Sequence, residues 1–255
     1  MSGLVFHERV GLEGRCISPF SWRIRYALAH KGLDPEVRPT RFADVERIRA
    51  LSGQELVPIL EDSDRVVHDS WAIASHLENR FPDRPSLFGS EIGRGTARLV
   101  NLWSDTVLHP PLRRLISADF IWCLDPGDRE YFRRSREAQF GTSLENASAY
   151  CEATLATFAE ACRPLDRTLA EQPFLAGGVP AYVDYIVFSV FQWARIGTPQ
   201  DVLGTGNQHA ALRAWRERMI GLYDNLADRF GHYPEQRSGP DGRQAVDPPK
   251  GKPAM

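Results

Sequence analysis

The sequence predicts two joined domains, a small mixed α/β domain followed by an all-helical domain. In residues 1–85, short runs rich in β-branched and aromatic side chains alternate with amphipathic helical patterns. Proline, glycine and serine then cluster at residues 84–90. Beyond this cluster the apolar spacing is helical, without a convincing strand. The chain has 255 residues, which exceeds the usual size of one domain.

The N-terminal elements are predicted in the order βαβαββα. A helix between the first two strands makes those strands parallel, whereas a turn-forming sequence between the last two makes an antiparallel hairpin. The predicted elements are a strand at 4–10, a helix at 20–31, a strand at 36–38, a helix at 44–51, strands at 57–60 and 65–68, and a helix at 70–81.

The second domain is predicted to be entirely helical. Asp184 can cap one of its helices by accepting the N–H of Ala181, three residues earlier. The predicted helices are at 92–107, at 129–169 with a break, at 182–194 and at 209–229. The predicted divisions are an N-terminal domain at 1–85, a linker at 86–90, a helical domain at 91–233 and a disordered tail at 234–255, which is rich in proline and glycine.

Composition excludes several classes of protein. Hydrophobic residues make up 42% and charged residues 25% of the chain, which is typical of a soluble globular protein. The formal charge of -2 gives no bias towards nucleic acid or an anionic membrane. We find no signal peptide or membrane-length apolar run, and expect a cytoplasmic protein. Four dispersed cysteines and seven histidines outside any metal motif predict neither disulfide nor metal.

A hydroxyl-bearing turn at residues 18–23, Ser-Pro-Phe-Ser-Trp-Arg, leads into the first helix. Ser18 is predicted as the N-cap, and Pro19 lies at the first helical position, where its missing N–H costs nothing. Free N–H groups and the helix dipole favour an anion here, whether phosphate, carboxylate or thiolate.

Three segments together resemble the glutathione-binding domain of soluble glutathione transferases. They are the run at 18–23, Val-Pro-Ile-Leu at 57–60 and the run at 69–78 that begins Asp-Ser-Trp. The first and last of these, with the runs at 81–88 and 128–137, are most similar to the bacterial lignin β-aryl-etherases and their fungal etherase-like relatives. The resemblance covers nearly the whole chain and implies a thioredoxin-like N-terminal domain.

The resemblance implies a role for each motif. Val57 would precede a cis-proline, Pro58, and pair its backbone with the cysteinyl backbone of glutathione. Asp69 would pair with the ammonium group of the γ-glutamyl end. Ser70, as the N-cap of the helix at 70–81, would offer its hydroxyl and nearby free N–H groups to the α-carboxylate. A free thiol has a pKa near ~8.5, so donation from the Ser18 hydroxyl would favour the thiolate. Glutathione is then a co-substrate, used without a metal.

The second substrate implied by the resemblance is a hydrophobic or aromatic small molecule, and the assembly is a homodimer. Detoxification and catabolism of aromatic compounds are the matching roles. Conjugation and β-aryl ether cleavage are the favoured reactions. A non-catalytic ligand-binding protein of the same fold, and a thiol reductase using Cys16, are alternatives.

Two further groups near Ser18 have alternative interpretations. Ser21 is either a second hydroxyl for the thiolate or a partner of the local backbone. Cys16 is either a thiol with a lowered pKa that forms a mixed disulfide with glutathione or a bystander in the loop. The electrophile pocket is expected between the domains, although large side chains there are often core. Its candidates are Phe20, Trp22, Trp103, His109, Leu112 and Trp122.

Overall fold

The computed structural model describes residues 3–148, 152–204, 208–230 and 233. The predicted fold class is confirmed: a four-stranded mixed sheet with helices is followed by a helical domain. The tail at 234–255 lies outside the described residues.

The N-terminal domain is built on a sheet with strand order β2-β1-β3-β4. Strand β1 pairs in parallel with β2 and antiparallel with β3, which forms the predicted hairpin with β4. The elements are β1 (Leu4–Arg9), α1 (Pro19–His30), β2 (Glu36–Thr40), α2 (Val45–Ser52), β3 (Ile59–Asp62), β4 (Arg65–His68) and α3 (Ser70–Arg80).

The start of α3 differs from the prediction in one respect. Its N-cap is Asp69, not Ser70: Oδ1 of Asp69 accepts the N–H groups of Trp71 and Ala72 at 2.9 and 3.0 Å. Asp69 has a φ of +73°, and Ser70 is the first helical residue. A carboxylate at this position also interacts favourably with the helix dipole.

The helical domain contains α4 (Glu91–Trp103), α5 (His109–Phe120), α6 (Pro126–Phe140), α7 (Leu144–Ser148), α8 (Glu152–Glu171), α9 (Tyr182–Gly197) and α10 (Ala210–Asn225). A π-helical segment, Ser104–Leu108, joins α4 to α5. The predicted break at 129–169 includes Gly141, which is left-handed with φ +69°. Near its end α10 is distorted, because Leu222, Tyr223 and Asp224 leave helical geometry.

A common core holds the two domains together. Tyr26 of α1 is fully buried, contacts the ring of Phe188 at a centroid distance of 5.1 Å and donates its hydroxyl to the carbonyl of Met219 at 2.9 Å. Tyr182 donates to the carbonyl of Ser70, also at 2.9 Å. The helical domain therefore supports both helices, α1 and α3, whose N-termini belong to the candidate site.

The cap of α9 is formed as the sequence predicted. Oδ2 of Asp184 accepts the N–H of Ala181 at 3.1 Å. The same carboxylate accepts the N–H groups of Leu175 and Ala176 at 2.7 and 3.2 Å, and the indole N–H of Trp215 at 2.9 Å. Asp184 thus also fixes the loop before α9 and the helix α10, a folding role.

Candidate functional site

Sheet register brings the three sequence motifs to one edge of the sheet. His7 of β1 faces Ile59 of β3, so the chain just before Ile59 lies beside the C-terminal end of β1. Ile59 also faces His68, which directly precedes Asp69. The loop after β1 stays at this edge, since the N–H of Ile17 donates to the carbonyl of Arg9 at 3.0 Å. The starts of α1, β3 and α3 therefore converge.

Ser18 caps α1 as predicted. Its Oγ accepts the N–H of Ser21 at 3.3 Å, and its side chain is half-buried. Among the residues that the structure describes, this hydroxyl donates no hydrogen bond, so its proton is available to an anion at the helix N-terminus.

Cys16 does not have the environment that a reactive thiol needs. The side chain is fully buried, and this burial, with the nearby negative charge of Glu8, raises the pKa of the Cys16 thiol well above its usual range. Glu8 is itself buried and ion-paired with Arg25. The lowered thiol pKa considered from the sequence is wrong, because the loop turns this side chain into the protein.

Ser21 also points into the protein. Its side chain is fully buried, and its Oγ accepts the N–H of Arg9 at 3.4 Å. The interpretation as a backbone partner is the one that this geometry favours, although the partner is the end of β1 and not the local helix. The auxiliary role at the thiolate has no support from this placement.

The bond between Val57 and Pro58 is cis, as the resemblance implied. Both residues are buried, and among the described residues the N–H and C=O of Val57 form no backbone hydrogen bond. Opposite them, Oδ1 of Asp69 is used by the α3 cap, while Ser70 is buried and its carbonyl is held by Tyr182. Among the described residues, Oδ2 of Asp69 accepts no hydrogen bond.

Only part of the predicted electrophile pocket comes together. The rings of Phe20 and His109 lie 5.2 Å apart between the domains, but only Phe20 is half-buried; His109 is buried, so it packs against Phe20 without lining an open pocket. Trp22 and Leu112 are fully buried core residues, so their pocket assignment is wrong; the indole N–H of Trp22 donates to the carbonyl of Cys16 at 2.9 Å.

The two remaining pocket candidates are half-buried. Trp103 packs against the core at the end of α4, and Trp122 lies under Arg129 with 5.0 Å between the guanidinium carbon and the ring centroid. Neither has a described ring contact with Phe20 or His109. Both remain predictions as pocket residues.

A buried polar network beside Phe20 was missed from the sequence. Arg23 is fully buried and donates to Ser189 at 3.3 Å, Asn101 at 3.1 Å and Asp105 at 2.7 Å, while its guanidinium carbon lies 4.8 Å from the Phe20 ring centroid. The sequence signal that could have predicted this network was an arginine, Arg23, within the apolar face of α1. Asn101 and Asp105, spaced i and i+4, were the matching signal in the second domain.

His109 is neutral in this network. Burial, followed by the positive charges of Arg23 and Arg113, lowers the pKa of His109 well below its usual value. Its Nε2 lies 3.4 Å from a guanidinium nitrogen of Arg23, and its ring lies 5.6 Å from that of Trp193. A neutral ring that accepts from Arg23 can form an apolar wall against Phe20.

Two further features concern the part of the chain that the structure describes. Its histidine, cysteine and acidic side chains form no group of three or more that could hold a metal ion. None of its helices is long and apolar enough to cross a membrane.

Family models match both halves of the chain. A model described as the N-terminal domain of glutathione S-transferase matches residues 12–85, and one described as the C-terminal domain matches residues 96–232. The second alone spans more than half of the 255 residues. The stretch between the two matches, 86–95, covers the end of the segment that joins α3 to α4 and the first turn of α4.

Individual relatives of the same family also match part of this chain. A glutathione S-transferase of Triticum aestivum is 40% identical over 77 residues, which are 29% of this chain and 35% of the wheat protein. The chain thus spans little more than a third of that relative.

Two solved structures share the fold. A glutathione S-transferase of Ceriporiopsis subvermispora, solved in complex with glutathione, has 19% identity and a TM-score of 0.72, covering 88% of this chain and 98% of that one. A β-etherase of Sphingobium sp. strain SYK-6 has 18% identity and a TM-score of 0.65, covering 87% and 96%.

Proposed function

Because this chain belongs to the glutathione S-transferase family, we propose that it is a glutathione transferase in which Ser18 stabilises the glutathione thiolate for attack on an aromatic electrophile. The observation that carries the proposal is the convergence of three motifs at one sheet edge, with the Ser18 hydroxyl free to donate at the start of α1. This edge offers separate contacts to the γ-glutamyl and cysteinyl parts of glutathione.

The backbone of Val57, left free beside the cis bond, pairs with the cysteinyl backbone of glutathione. The free Oδ2 of Asp69 takes the γ-glutamyl ammonium group, and Ser70 with the α3 N-terminus takes the α-carboxylate. The sulfur then lies near Ser18. Each unit of thiol pKa lowering needs about 1.4 kcal/mol of preferential thiolate stabilisation. One charge-assisted hydrogen bond is worth about 1.5–3 kcal/mol, so Ser18 can supply it.

The proposed reaction is a nucleophilic displacement, with β-aryl ether cleavage as the specific case suggested by the sequence motifs. The thiolate sulfur forms a bond to the β-carbon while the C–O bond breaks, and the phenolate leaves and takes a proton from water. Glutathione ends as a thioether, and no electron donor is needed. The fold that this chain shares with a β-etherase is compatible with this chemistry.

Product analysis tests the proposal. The protein is incubated with glutathione and either a panel of β-aryl ethers or an activated aryl halide, and products are identified by mass. Thioether with stoichiometric phenol release is the expected result. Conjugation of the halide alone would reduce the proposal to a general transferase. Tight ligand binding without any product would instead favour the non-catalytic alternative, whereas glutathione disulfide formation would favour the reductase.

A homodimer is part of the proposal, as the family resemblance implies. Ile92, Leu99 and Leu102 lie along one side of α4 and are 83%, 69% and 47% exposed, which is an apolar stripe suited to a second copy. A monomeric mass in sedimentation equilibrium at micromolar concentration would refute it. A cytoplasmic location is also proposed, because the cytosol keeps thiols reduced with glutathione, and Cys16, Cys123 and Cys162 are free.

A further inference from the structure

The segment that joins β2 to α2, residues 41–44, begins at the same edge of the sheet as the loop that carries Ser18. Strands β1 and β2 are parallel, so their C-terminal ends lie side by side. The N–H of Val10, just after β1, donates to the carbonyl of Thr40, the last residue of β2, at 3.1 Å. We call residues 41–44 the β2–α2 loop.

Arg9 connects the β2–α2 loop to the loop that carries Ser18. It is the last residue of β1, and its side chain is buried. Its carbonyl accepts the N–H of Ile17, the residue before Ser18, at 3.0 Å. Its guanidinium donates to the carbonyl of Arg41, and the guanidinium carbon lies 4.7 Å from the ring centroid of Phe42. The two loops therefore share one buried anchor.

Helix α6 of the helical domain holds the β2–α2 loop through ion pairs. Nε of Arg41 lies 3.3 Å from Oδ2 of Asp125, the N-cap of α6, and 3.4 Å from Oδ2 of Asp128. A Cβ added to Gly127, between these two acids, would lie 3.6 Å from a guanidinium nitrogen of Arg41. The cation thus lies across the first turn of α6. We call the ion pairs of Arg41 with Asp125 and Asp128 the α6 clamp.

Charge and burial make the α6 clamp a specific contact between the two domains. The side chain of Asp128 is only 3% exposed, and a buried carboxylate is costly unless a cation pairs with it. Arg41 supplies that cation. Burial lowers the pKa of Arg9, and the negative charge of Asp128 opposes this lowering. An acid of the helical domain therefore compensates arginines at the ends of both β1 and β2.

Aromatic rings support the same contact. The ring of Phe42 lies 6.2 Å from that of Tyr131 and 6.1 Å from that of Phe132, both on α6. The sequence run at 128–137, which resembles the etherases, thus supplies the helix face that packs on the β2–α2 loop.

Strand order indicates which part of glutathione reaches the β2–α2 loop. In the proposed binding mode the γ-glutamyl end lies at the start of α3, after β4. The cysteine lies between Val57, just before β3, and Ser18, after β1. The strands follow one another in the order β4, β3, β1, β2. A peptide that crosses them in this order carries its glycine residue towards the end of β2, where the β2–α2 loop begins.

We propose that the α6 clamp positions the β2–α2 loop against the glycine residue of glutathione, which makes Arg41 and Asp128 positioning residues for the co-substrate. The inference rests on the proposed function, because it concerns glutathione bound at the same site. Both side chains act through the loop and not by touching the peptide. The loop transmits their effect because it is also fixed internally: Oδ2 of Asp44 accepts the N–H of Arg41 at 2.8 Å.

Binding of two peptides of equal charge tests the inference. Glutathione and γ-glutamylcysteine each carry two carboxylates and one ammonium group, and they differ by the glycine residue. Calorimetry measures the Kd of each peptide and needs no turnover. The variants are Arg41→Gln and Asp128→Asn. The control, Arg38→Gln, removes a β2 arginine of similar exposure, 48% against 44%, from its pair with Glu36 at 2.8 Å.

The measured quantity is the Kd of γ-glutamylcysteine divided by the Kd of glutathione. We expect this ratio to fall by about threefold or more in Arg41→Gln, the size of effect that a partly exposed ion pair can carry. Asp128→Asn breaks the same clamp from the other side and should also lower the ratio, whereas the control keeps the parental value. Since Arg41 is partly exposed, its substitution should leave the fold intact and decides the test even if Asp128→Asn is unstable.

An unchanged ratio in Arg41→Gln would overturn the inference, and so would an equal weakening of both peptides, because neither singles out glycine. Failure of the proposed function has a different signature. If the parent binds glutathione but forms no thioether, the transferase function fails while the ratios still decide the inference. If the parent forms the thioether and Arg41→Gln keeps the parental ratio, the inference alone fails. A parent that does not bind glutathione would overturn both.

Discussion

At the scale of single residues, the contrast between Ser18 and Cys16 decides which group can serve glutathione. Two positions apart, they experience opposite environments. Ser18 lies half-buried at the N-terminus of α1 with a proton to donate, whereas Cys16 is fully buried beside the Glu8 carboxylate. A buried thiol next to a carboxylate resists ionisation. A transferase that activates an external thiol through a hydroxyl fits this loop, and a cysteine-based reductase does not.

Arg23 also acts at this scale, as the residue that joins α1 to the second domain. Arg23→Ala removes a fully buried cation whose partners include Asn101, Asp105 and Ser189. We expect the free energy of unfolding to fall by about 3 kcal/mol, the lower part of the range for a broken buried pair, since Asp105 is partly exposed. Urea unfolding measures the loss.

The matched control for Arg23 is Arg163→Ala, which removes an exposed arginine from its pair with Glu160 on α8. Such surface pairs contribute little to stability. Equal losses of unfolding free energy in the two variants would contradict the assigned role of Arg23.

At the scale of elements, the sequence predicted the N-terminal domain well because its signals are local. Pro19 after Ser18 marked the start of α1, and the turn after β3 marked the hairpin. The helical domain was harder. Helix α5 was missed because Pro110 and Pro111 resemble a helix end, yet Pro110 lies in the first turn after the π-helical segment, where an N–H is dispensable.

Contacts between elements were the other limit of sequence reasoning. Aromatic residues of α1 could not be divided into core and pocket, so Trp22 was placed in the pocket although it is fully buried. The partners of Arg23 lie 78 to 166 residues further along the chain. No local pattern encodes such separations, although the i, i+4 pair of Asn101 and Asp105 hinted at a buried polar group.

At the scale of the whole molecule, a second polar network joins the domains at the other end of α1. Nδ1 of His30 lies 2.6 Å from the hydroxyl of Tyr185, and Nε2 lies 3.0 Å from the carbonyl of Ser86. The carbonyl needs a donor, so Nε2 carries a proton, and in the neutral ring Nδ1 accepts from the phenol. This arrangement requires a neutral ring, and burial lowers the pKa of His30. Lys31 and Glu78 are its charged neighbours.

Stability should therefore depend on pH through His30 and His109, whose pKa values in the folded protein are both lowered. Above about 6.5, the ordinary histidine pKa, folded and unfolded chains bind equal numbers of protons at these sites. Below this pH, the unfolded chain binds protons at these histidines that the folded protein does not bind. The free energy of unfolding then falls as pH decreases towards the folded pKa values. Urea unfolding across this range measures the decline.

The variant His30→Gln serves as the control, since an amide cannot titrate but retains a donor and an acceptor. It should show a shallower decline of unfolding free energy below about pH 6.5 than the parent does. A parental stability that stays constant or rises on acidification would show that these histidines are charged in the folded protein, contrary to the networks described.

The central claim, that Ser18 holds the glutathione thiolate, is tested most directly by titrating bound glutathione. The ultraviolet absorbance of the thiolate is followed against pH in the parent and in Ser18→Ala, each saturated with glutathione. The account predicts a bound-thiol pKa below ~8.5 in the parent and a rise of about one unit or more in the variant. An identical bound-thiol pKa in the two proteins would contradict it.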